Sequence, residues 1–328
     1  MKDMLTRVAV VIIGRNEGDR LARCLQSLTD QVTQLVYVDS GSTDDSVNLA
    51  RSKAAEVVAL DMTVPFTAAR ARNEGFKRMR KLYPLAEYVQ FVDGDCEVIA
   101  TWLESAVIFL DARPDIAVVC GRRRERYPDK TTYNMLCDME WNTPIGEAKA
   151  CGGDAMMRVM AVENMQGFRA DLIAGEEPEL CVRFRAAGWK IWRLDQEMTL
   201  HDAAMTKFGQ WWKRTMRAGH AFAEGAYLHG ALPERHWVSE SRRAWIWGLG
   251  IPLITLIIGI INFKWGMFCL LIYPIQIIRL ARRNSAQGKH PWIMAFFLVL
   301  GKFPEMLGQI KFFQRLYSGK QGKLIEYK

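Results

Sequence analysis

Residues 88–97 read Tyr88-Val89-Gln90-Phe91-Val92-Asp93-Gly94-Asp95-Cys96-Glu97. The run 88–92 is mostly apolar and of strand length, which predicts a buried parallel strand. It stops at Asp93-Gly94-Asp95, so two carboxylates fall at the strand's carboxyl end. In open α/β sheets that edge is where ligands bind. Neighbouring anions repel unless a cation lies between them. Hard divalent cations such as Mg2+ and Mn2+ take carboxylate oxygen and keep positions free for phosphate oxygens. The plainer alternative is an Asp-Gly turn with two solvated acids, and the flanking sequence decides between them.

Upstream, six β-formers at 8–13, bounded by Gly14, predict a first strand. Apolar residues at 21, 25 and 28 have helical spacing. A second strand at 35–38 runs into Asp39-Ser40-Gly41-Ser42-Thr43-Asp44-Asp45, a turn that supplies an N-cap for a helix over 45–53. A short strand at 57–60 and a basic helix over 66–80 lead back to the starting stretch. Strands alternating with helices, with acidic or glycine-rich turns on the strands' carboxyl side, imply an α/β fold. Its sheet is expected to be mostly parallel, with helices on both faces.

The chain has 328 residues, half of them hydrophobic, and a formal net charge of +8. A basic balance suits nucleic acid, anionic lipid or a phosphate-bearing substrate. Seven scattered cysteines without C-x-x-C spacing argue for reduced thiols in a cytoplasmic setting, against zinc and against a disulfide framework. The apolar run 8–13 is too short for a signal-peptide core, so the chain is read as opening without one.

Six motifs in order, across 8–217, resemble those of the inverting glycosyltransferases of family 2, with the GT-A fold. They are Ile12-Ile13-Gly14-Arg15-Asn16-Glu17-Gly18 (the family has P-x-Y-N-E), Val38-Asp39-Ser40-Gly41-Ser42-Thr43-Asp44 (V-D-D-G-S-T-D) and Ala71-Arg72-Asn73-Glu74-Gly75 (A-R-N-x-G). Then come the D-G-D, Gly152-Gly153-Asp154-Ala155-Met156-Met157-Arg158 (the acceptor-side G-G motif) and Glu176-Glu177-Pro178-Glu179-Leu180-Cys181-Val182-Arg183 (E-D-x-D-L-x-x-R). The resemblance implies a Rossmann-like sheet binding a nucleotide sugar, with UDP as the expected nucleotide, and Mn2+ or Mg2+ as the divalent metal. It makes Asp39 the base-binding acid, Glu17 a ribose or base contact, Asp93 a contact to ribose and metal water, and Asp95 a metal ligand. Arg72 falls on the phosphate side, while the other basic residues of its helix are read as solvated. His201, expected a short loop after a strand at 190–194, would close the metal site. Glu177 stands where the family has its catalytic Asp, one methylene longer. Gly153, Asp154 and Glu176 are placed on the acceptor side, with Trp211 and Trp212 as candidate stacking residues. Gln210-Trp211-Trp212-Lys213-Arg214 is similar to the Q-x-x-R-W segment of processive synthases, but the order differs and processivity is not inferred. Acids before a helix at 180–187 also suit the positive end of its dipole.

From Arg242 the composition changes, giving an expected catalytic domain over 1–235 and a membrane-associating region over 236–328. Residues 245–263 carry no charge and as a helix span ~28 Å, close to a bilayer core. A second apolar run follows at 265–278. Arg242 and Arg243 before the first run, and Arg279, Arg282 and Arg283 after the second, put both outer ends in the cytoplasm. A third stretch, 292–303 and beyond, reads as a helix lying on the membrane surface. The expected partners are membrane lipid and a lipid-linked or glycan acceptor, as in surface polysaccharide or glycolipid assembly. Nucleic acid is not expected, because basic residues gather beside the apolar tail, where anionic lipid is the simpler partner. A hydrophobic homo-oligomer interface is the alternative for the tail. A nucleotidyltransferase is the competing enzyme class, but Gly14-Arg15-Asn16-Glu17 lacks the lysine-bearing phosphate loop such an enzyme carries. A non-catalytic membrane scaffold has no need of Asp39, Asp95 and an acid at 177 together.

Overall fold

The computed structural model describes residues 2–285 and 290–318. Residues 286–289 and 319–328 of the expected C-terminal region lie outside the described residues. The chain forms two compact units, Met1–Ala204 and Met205–Lys328. The division falls ahead of the expected boundary at 235/236 because the Phe208–His229 helix packs along the Lys302–Ser318 helix.

The first unit is built on one mixed sheet. Its strands are β1 (Val8–Gly14), β2 (Leu35–Asp39), β3 (Glu56–Ala59), β4 (Tyr88–Asp93), β5 (Cys96–Val98), β6 (Ile116–Glu125), β7 (Gly146–Glu147), β8 (Ala155–Arg158) and β9 (Lys190–His201). The order is β3-β2-β1-β4-β8-β6-β9-β5, with β7 on β9. β3, β2, β1 and β4 are parallel, as are β6 and β9. β8 lies antiparallel between β4 and β6, and β5 and β7 pair antiparallel with β9.

β1 and β2 read as unbroken apolar runs because their side chains are buried almost throughout. In β4 the one polar interior residue, Gln90, is fully buried and satisfied. It accepts from Trp102 Nε1 at 2.8 Å and donates to the Phe91 carbonyl at 2.8 Å. The Ala68–Leu82 helix begins at Thr67, whose hydroxyl accepts from the Arg70 N–H. Gly75 lets this helix lie close on the sheet, since a Cβ there would sit 2.3 Å from Val11 Cγ1 and 2.8 Å from Val38 Cγ2. The helix's other basic residues serve the surface: Arg70 donates to the Val64 carbonyl, and Arg78 and Arg80 pair with Glu56 and Glu163.

The second unit is helical. Three helices, Val238–Ile261, Phe263–Asn284 and Pro291–Ser318, are long and apolar enough to cross a membrane. The first contains a π-helical stretch at Ile246–Gly250, and Pro252 follows two residues after it, inside the continuous helix; such wide turns are where a helix adjusts around a proline's missing N–H. The third, expected as a surface helix, meets the same length and composition as the other two.

Candidate active site

The carboxyl ends of three neighbouring strands bring the first motifs together. Gly14 pairs with Asp39, and Ile13 pairs with Asp93. Asp39 and Asp93 therefore stand two strand spacings apart, roughly 10 Å, on one rim. Asp39 is buried, with Oδ2 accepting the N–H groups of Gly41 and Ser42 at 3.0 and 2.9 Å and Oδ1 accepting the Tyr37 hydroxyl at 3.2 Å. Burial beside Asp39 pushes the Tyr37 hydroxyl well above its usual range. Asp39 thereby closes an Asx-turn over its own loop. Glu17 lies over Gly14 and Gly94 and pairs with Arg20 at 2.8 Å.

Asp93 and Arg72 form the centre. Arg72 is buried and donates Nη2 to Asp93 Oδ1 at 2.8 Å and Nη1 to Glu176 Oε1 at 2.7 Å. Burial works against its charge, but Asp93 and Glu176 outweigh that and raise its pKa. Arg72 was expected to face phosphate. In this structure its Nη groups are engaged by two acids, so it orients the rim. Gly153 passes directly above: a Cβ would meet Arg72 Nη2 at 2.8 Å and Asp93 Oδ2 at 3.0 Å.

Asp154 corrects an expectation. Placed on the acceptor side by the motif, it is fully buried and supports Asp93 from behind. Its Oδ1 accepts the Asp93 N–H at 3.0 Å. Its Oδ2 accepts from Thr199 Oγ1 at 3.0 Å and pairs with Arg123 Nη2 at 2.8 Å. Glu176, also placed on the acceptor side, is held by Arg72. Trp211 and Trp212 belong to the second unit; Trp211 is buried against Phe297 and Phe208, ring centroids 4.9 and 5.4 Å away, and Trp212 is half-buried beside Phe208.

Asp95 and His201 meet because β5 and β9 pair Cys96 with His201. β9 runs through to His201, so the histidine is the last residue of a strand instead of following a loop. Asp95 Oδ2 lies 3.3 Å from His201 Nε2. Two ligand bonds of about 2.1 Å at near right angles set their donor atoms about 3.0 Å apart, so the pair fits two adjacent positions on a small divalent ion. His201 is buried, and its Nδ1 makes no hydrogen bond among the described residues. Cys96 completes this group of ligand atoms. Its sulfur is the soft member, and it lies 3.7 Å from Asp95 Oδ1.

Glu177 lies in the first turn of the Glu176–Ala186 helix, which starts at left-handed Gly175. Its Oε1 accepts from the Cys151 N–H at 2.7 Å and from the Cys151 and Cys181 thiols at 2.9 Å each. No donor to Oε2 is found among the described residues. The carboxylate is therefore held on one oxygen, while Glu176 joins the helix to Arg72 and so to Asp93.

Sequence reasoning missed Arg123, Glu125, Trp141, Cys151 and Cys181. Arg123 is an inward-facing cation over the Trp141 ring, 5.4 Å from its centroid; Trp141 also meets His201 edge-on at 4.7 Å. Glu125 is buried beside His201 and accepts the Ala203 N–H at 3.0 Å. The available signal was Arg122-Arg123-Arg124-Glu125 continuing an apolar strand, since alternate charges on a strand share its buried face.

A parallel half-sheet with an acidic rim, an antiparallel β8, and a carboxylate-bearing helix mark a nucleotide-sugar transferase fold. The family model "Glycosyl transferase family 2" matches residues 9–164. Glycosyltransferase AglE of Haloferax volcanii is 25% identical over 232 residues, covering 67% of this chain and 74% of that protein. An Escherichia coli protein, the uncharacterized glycosyltransferase YibD, is 32% identical over 110 residues, 32% of this chain and 30% of its own length. Among solved structures, the mannosyltransferase PcManGT from Pyrobaculum calidifontis, in complex with GDP-Man and Mn2+, aligns over 93% of this chain and 87% of its own, with 18% identity and a TM-score of 0.59. S. aureus TarS 1–349 aligns over 95% and 92%, with 15% identity and a TM-score of 0.51. Residues 9–164 thus carry a match to glycosyltransferase family 2, and the chain has the GT-A fold.

Proposed function

We propose that this glycosyltransferase is metal-dependent and inverting, moving a sugar from a nucleotide sugar, with UDP as the expected nucleotide, to a lipid-linked or glycan acceptor. The observation that carries this reading is the shared rim: Asp39, Asp93 and Asp95 with His201, linked through Arg72 and Glu176 to the Glu177 helix. Asp39 holds the base, with Glu17 beside it at the ribose, and Asp93 and Asp95 face the diphosphate. Asp95 and His201 hold a divalent ion, which supplies charge stabilisation to the departing diphosphate. The solved mannosyltransferase relative contains Mn2+ and GDP-Man, which supports a metal and a nucleotide sugar without choosing the base.

Glu177 is the general base. Oε1 is fixed by three donors, so Oε2 takes the acceptor hydroxyl's proton as its oxygen attacks the anomeric carbon. The new C–O bond forms as the bond to the diphosphate breaks, and configuration inverts. Three long apolar helices with basic flanks support membrane attachment, with the first unit on the cytoplasmic side.

The test is thermal stabilisation of the detergent-purified chain by UDP- and GDP-sugars, with and without Mn2+. Stabilisation by a UDP-sugar that needs Mn2+ and disappears in Asp95→Ala or His201→Ala is expected. Equal stabilisation without metal removes these residues from the site. Glu177→Gln should keep donor binding and lose transfer, and retained transfer moves the base elsewhere.

A further inference from the structure

Cys151, Glu177 and Cys181 form a second group of ligand atoms, separate from Asp95 and His201. The two thiols come from distant parts of the chain, one on the loop before β8 and one a turn along the Glu176–Ala186 helix. Their sulfurs are 3.8 Å apart, and each lies 2.9 Å from Glu177 Oε1. Two Zn–S bonds of about 2.3 Å at a tetrahedral angle hold their sulfurs about 3.8 Å apart. The sulfur spacing therefore already suits a tetrahedral ion. A Zn–O bond of about 2.0 Å sets sulfur and oxygen about 3.5 Å apart. Oε1 would have to withdraw by roughly 0.6 Å, a small rotation of a long side chain.

We propose that Cys151, Cys181 and Glu177 form an inhibitory site for a soft divalent cation of the Zn2+ or Cd2+ class, which captures the general base. The inhibitory half rests on the proposed role of Glu177; the binding half does not. In the free protein both thiols donate to the same carboxylate oxygen, Glu177 Oε1, so both sulfurs carry their protons. On binding, two S–H bonds break, two metal–thiolate bonds form, and two protons pass to solvent. Thiolate ligands select Zn2+ or Cd2+ over Mg2+ or Mn2+, so the metal serving Asp95 and His201 does not fill this site. A water or the acceptor hydroxyl takes the fourth position. Once Oε1 is metal-bound, the carboxylate loses its basicity and transfer stops.

The experiment is a Cd2+ titration of the full chain in detergent, with Mn2+ present throughout. Three quantities are followed: thiolate-to-metal charge-transfer absorbance, proton release, and transfer. Expected are one charge-transfer band, two protons released per bound ion, and loss of transfer that a thiol-type chelator reverses. Cys151→Ser and Cys181→Ser should each weaken the band's apparent affinity by more than roughly tenfold, the loss seen even for outer-shell partners of a metal. Cys269→Ser, in the second unit, should leave it unchanged. No band, or a band whose apparent affinity neither Cys151→Ser nor Cys181→Ser weakens in a Cys96→Ser background, overturns the site. A band without loss of transfer overturns the inhibition. Glu177→Gln separates the two ideas: if it retains transfer the base assignment falls, while the band, weakened by loss of the carboxylate ligand, still reports the site.

Discussion

Replacing Arg72 by Met removes the cation between Asp93 and Glu176 while keeping most of the side-chain volume. The Glu176 side chain is 12% exposed and that of Asp93 28%, against 4% for Arg72. Breaking a buried pair from one side costs about 3–5 kcal/mol, because a charge is left without its partner. Water reaches Asp93 more readily than Glu176, so the lower end applies, about 3 kcal/mol. For a unit of this size that corresponds to a fall in Tm of roughly 6–12 °C. Thermal and urea unfolding followed by tryptophan fluorescence measure it. Adding Glu176→Gln removes the stranded charge, so the double variant should recover about 1–2 kcal/mol relative to additivity. Donor affinity should fall in both, since Asp93 loses its orienting partner. A loss below about 1 kcal/mol for Arg72→Met, or strict additivity in the double variant, refutes the view that Arg72 is the structural centre of the rim.

Gly153→Ala should fold and bind the nucleotide sugar at least about tenfold more weakly, because its Cβ displaces Arg72 and Asp93; isothermal titration checks it. His220, buried in the second unit, is held neutral with its pKa lowered to about 4, chiefly by burial and then by Arg315, Arg217 and Lys311, although Glu224 lies 3.5 Å from its Nδ1. The unfolded imidazole takes its proton first, so this group's contribution to stability is full above pH 6.5 and is lost as pH falls from 6.5 towards 4, by about 3 kcal/mol. His220→Gln should flatten that part of a pH–stability curve, and an unchanged slope assigns the acid loss elsewhere. In liposome flotation the full chain should rise with the vesicles and resist alkaline carbonate extraction, whereas recovery in the soluble fraction removes the membrane from the account.

The parallel half of the sheet was legible because each strand is a short apolar run closed by a turn, and because Asp39 and Asp93 sit at run ends. Glu177 was singled out by its place in the Glu176–Arg183 motif, because an acid-rich helix start by itself suits the dipole equally well. β9 was read as ending near residue 194 because Asp195, Gln196 and Glu197 interrupt its apolar pattern. Its pairing with β6 shifts register near Cys120 and Arg122, and that irregularity lets polar residues continue the strand. The burial of Asp154 was hidden because its partners, Arg123 and Thr199, come from strands far along the chain. The Cys151–Glu177–Cys181 group was invisible for the same reason: cysteines thirty positions apart carry no spacing signal. Arg72 was seen as a cation near phosphate, but only coordinates show two acids already engaging it.

The reversed direction of β8 has a consequence for how such an enzyme can change. A strand entering from the rim delivers the tail of the preceding connection, residues 126–154, beside Asp93, whereas Asp39 and Asp93 close the parallel strands β2 and β4. Insertions or swaps in that one connection can change what lies beside Asp93 without re-registering any parallel pair. Grafting residues 126–152 between relatives, with Gly153 and Asp154 left in place, is the engineering route this topology offers.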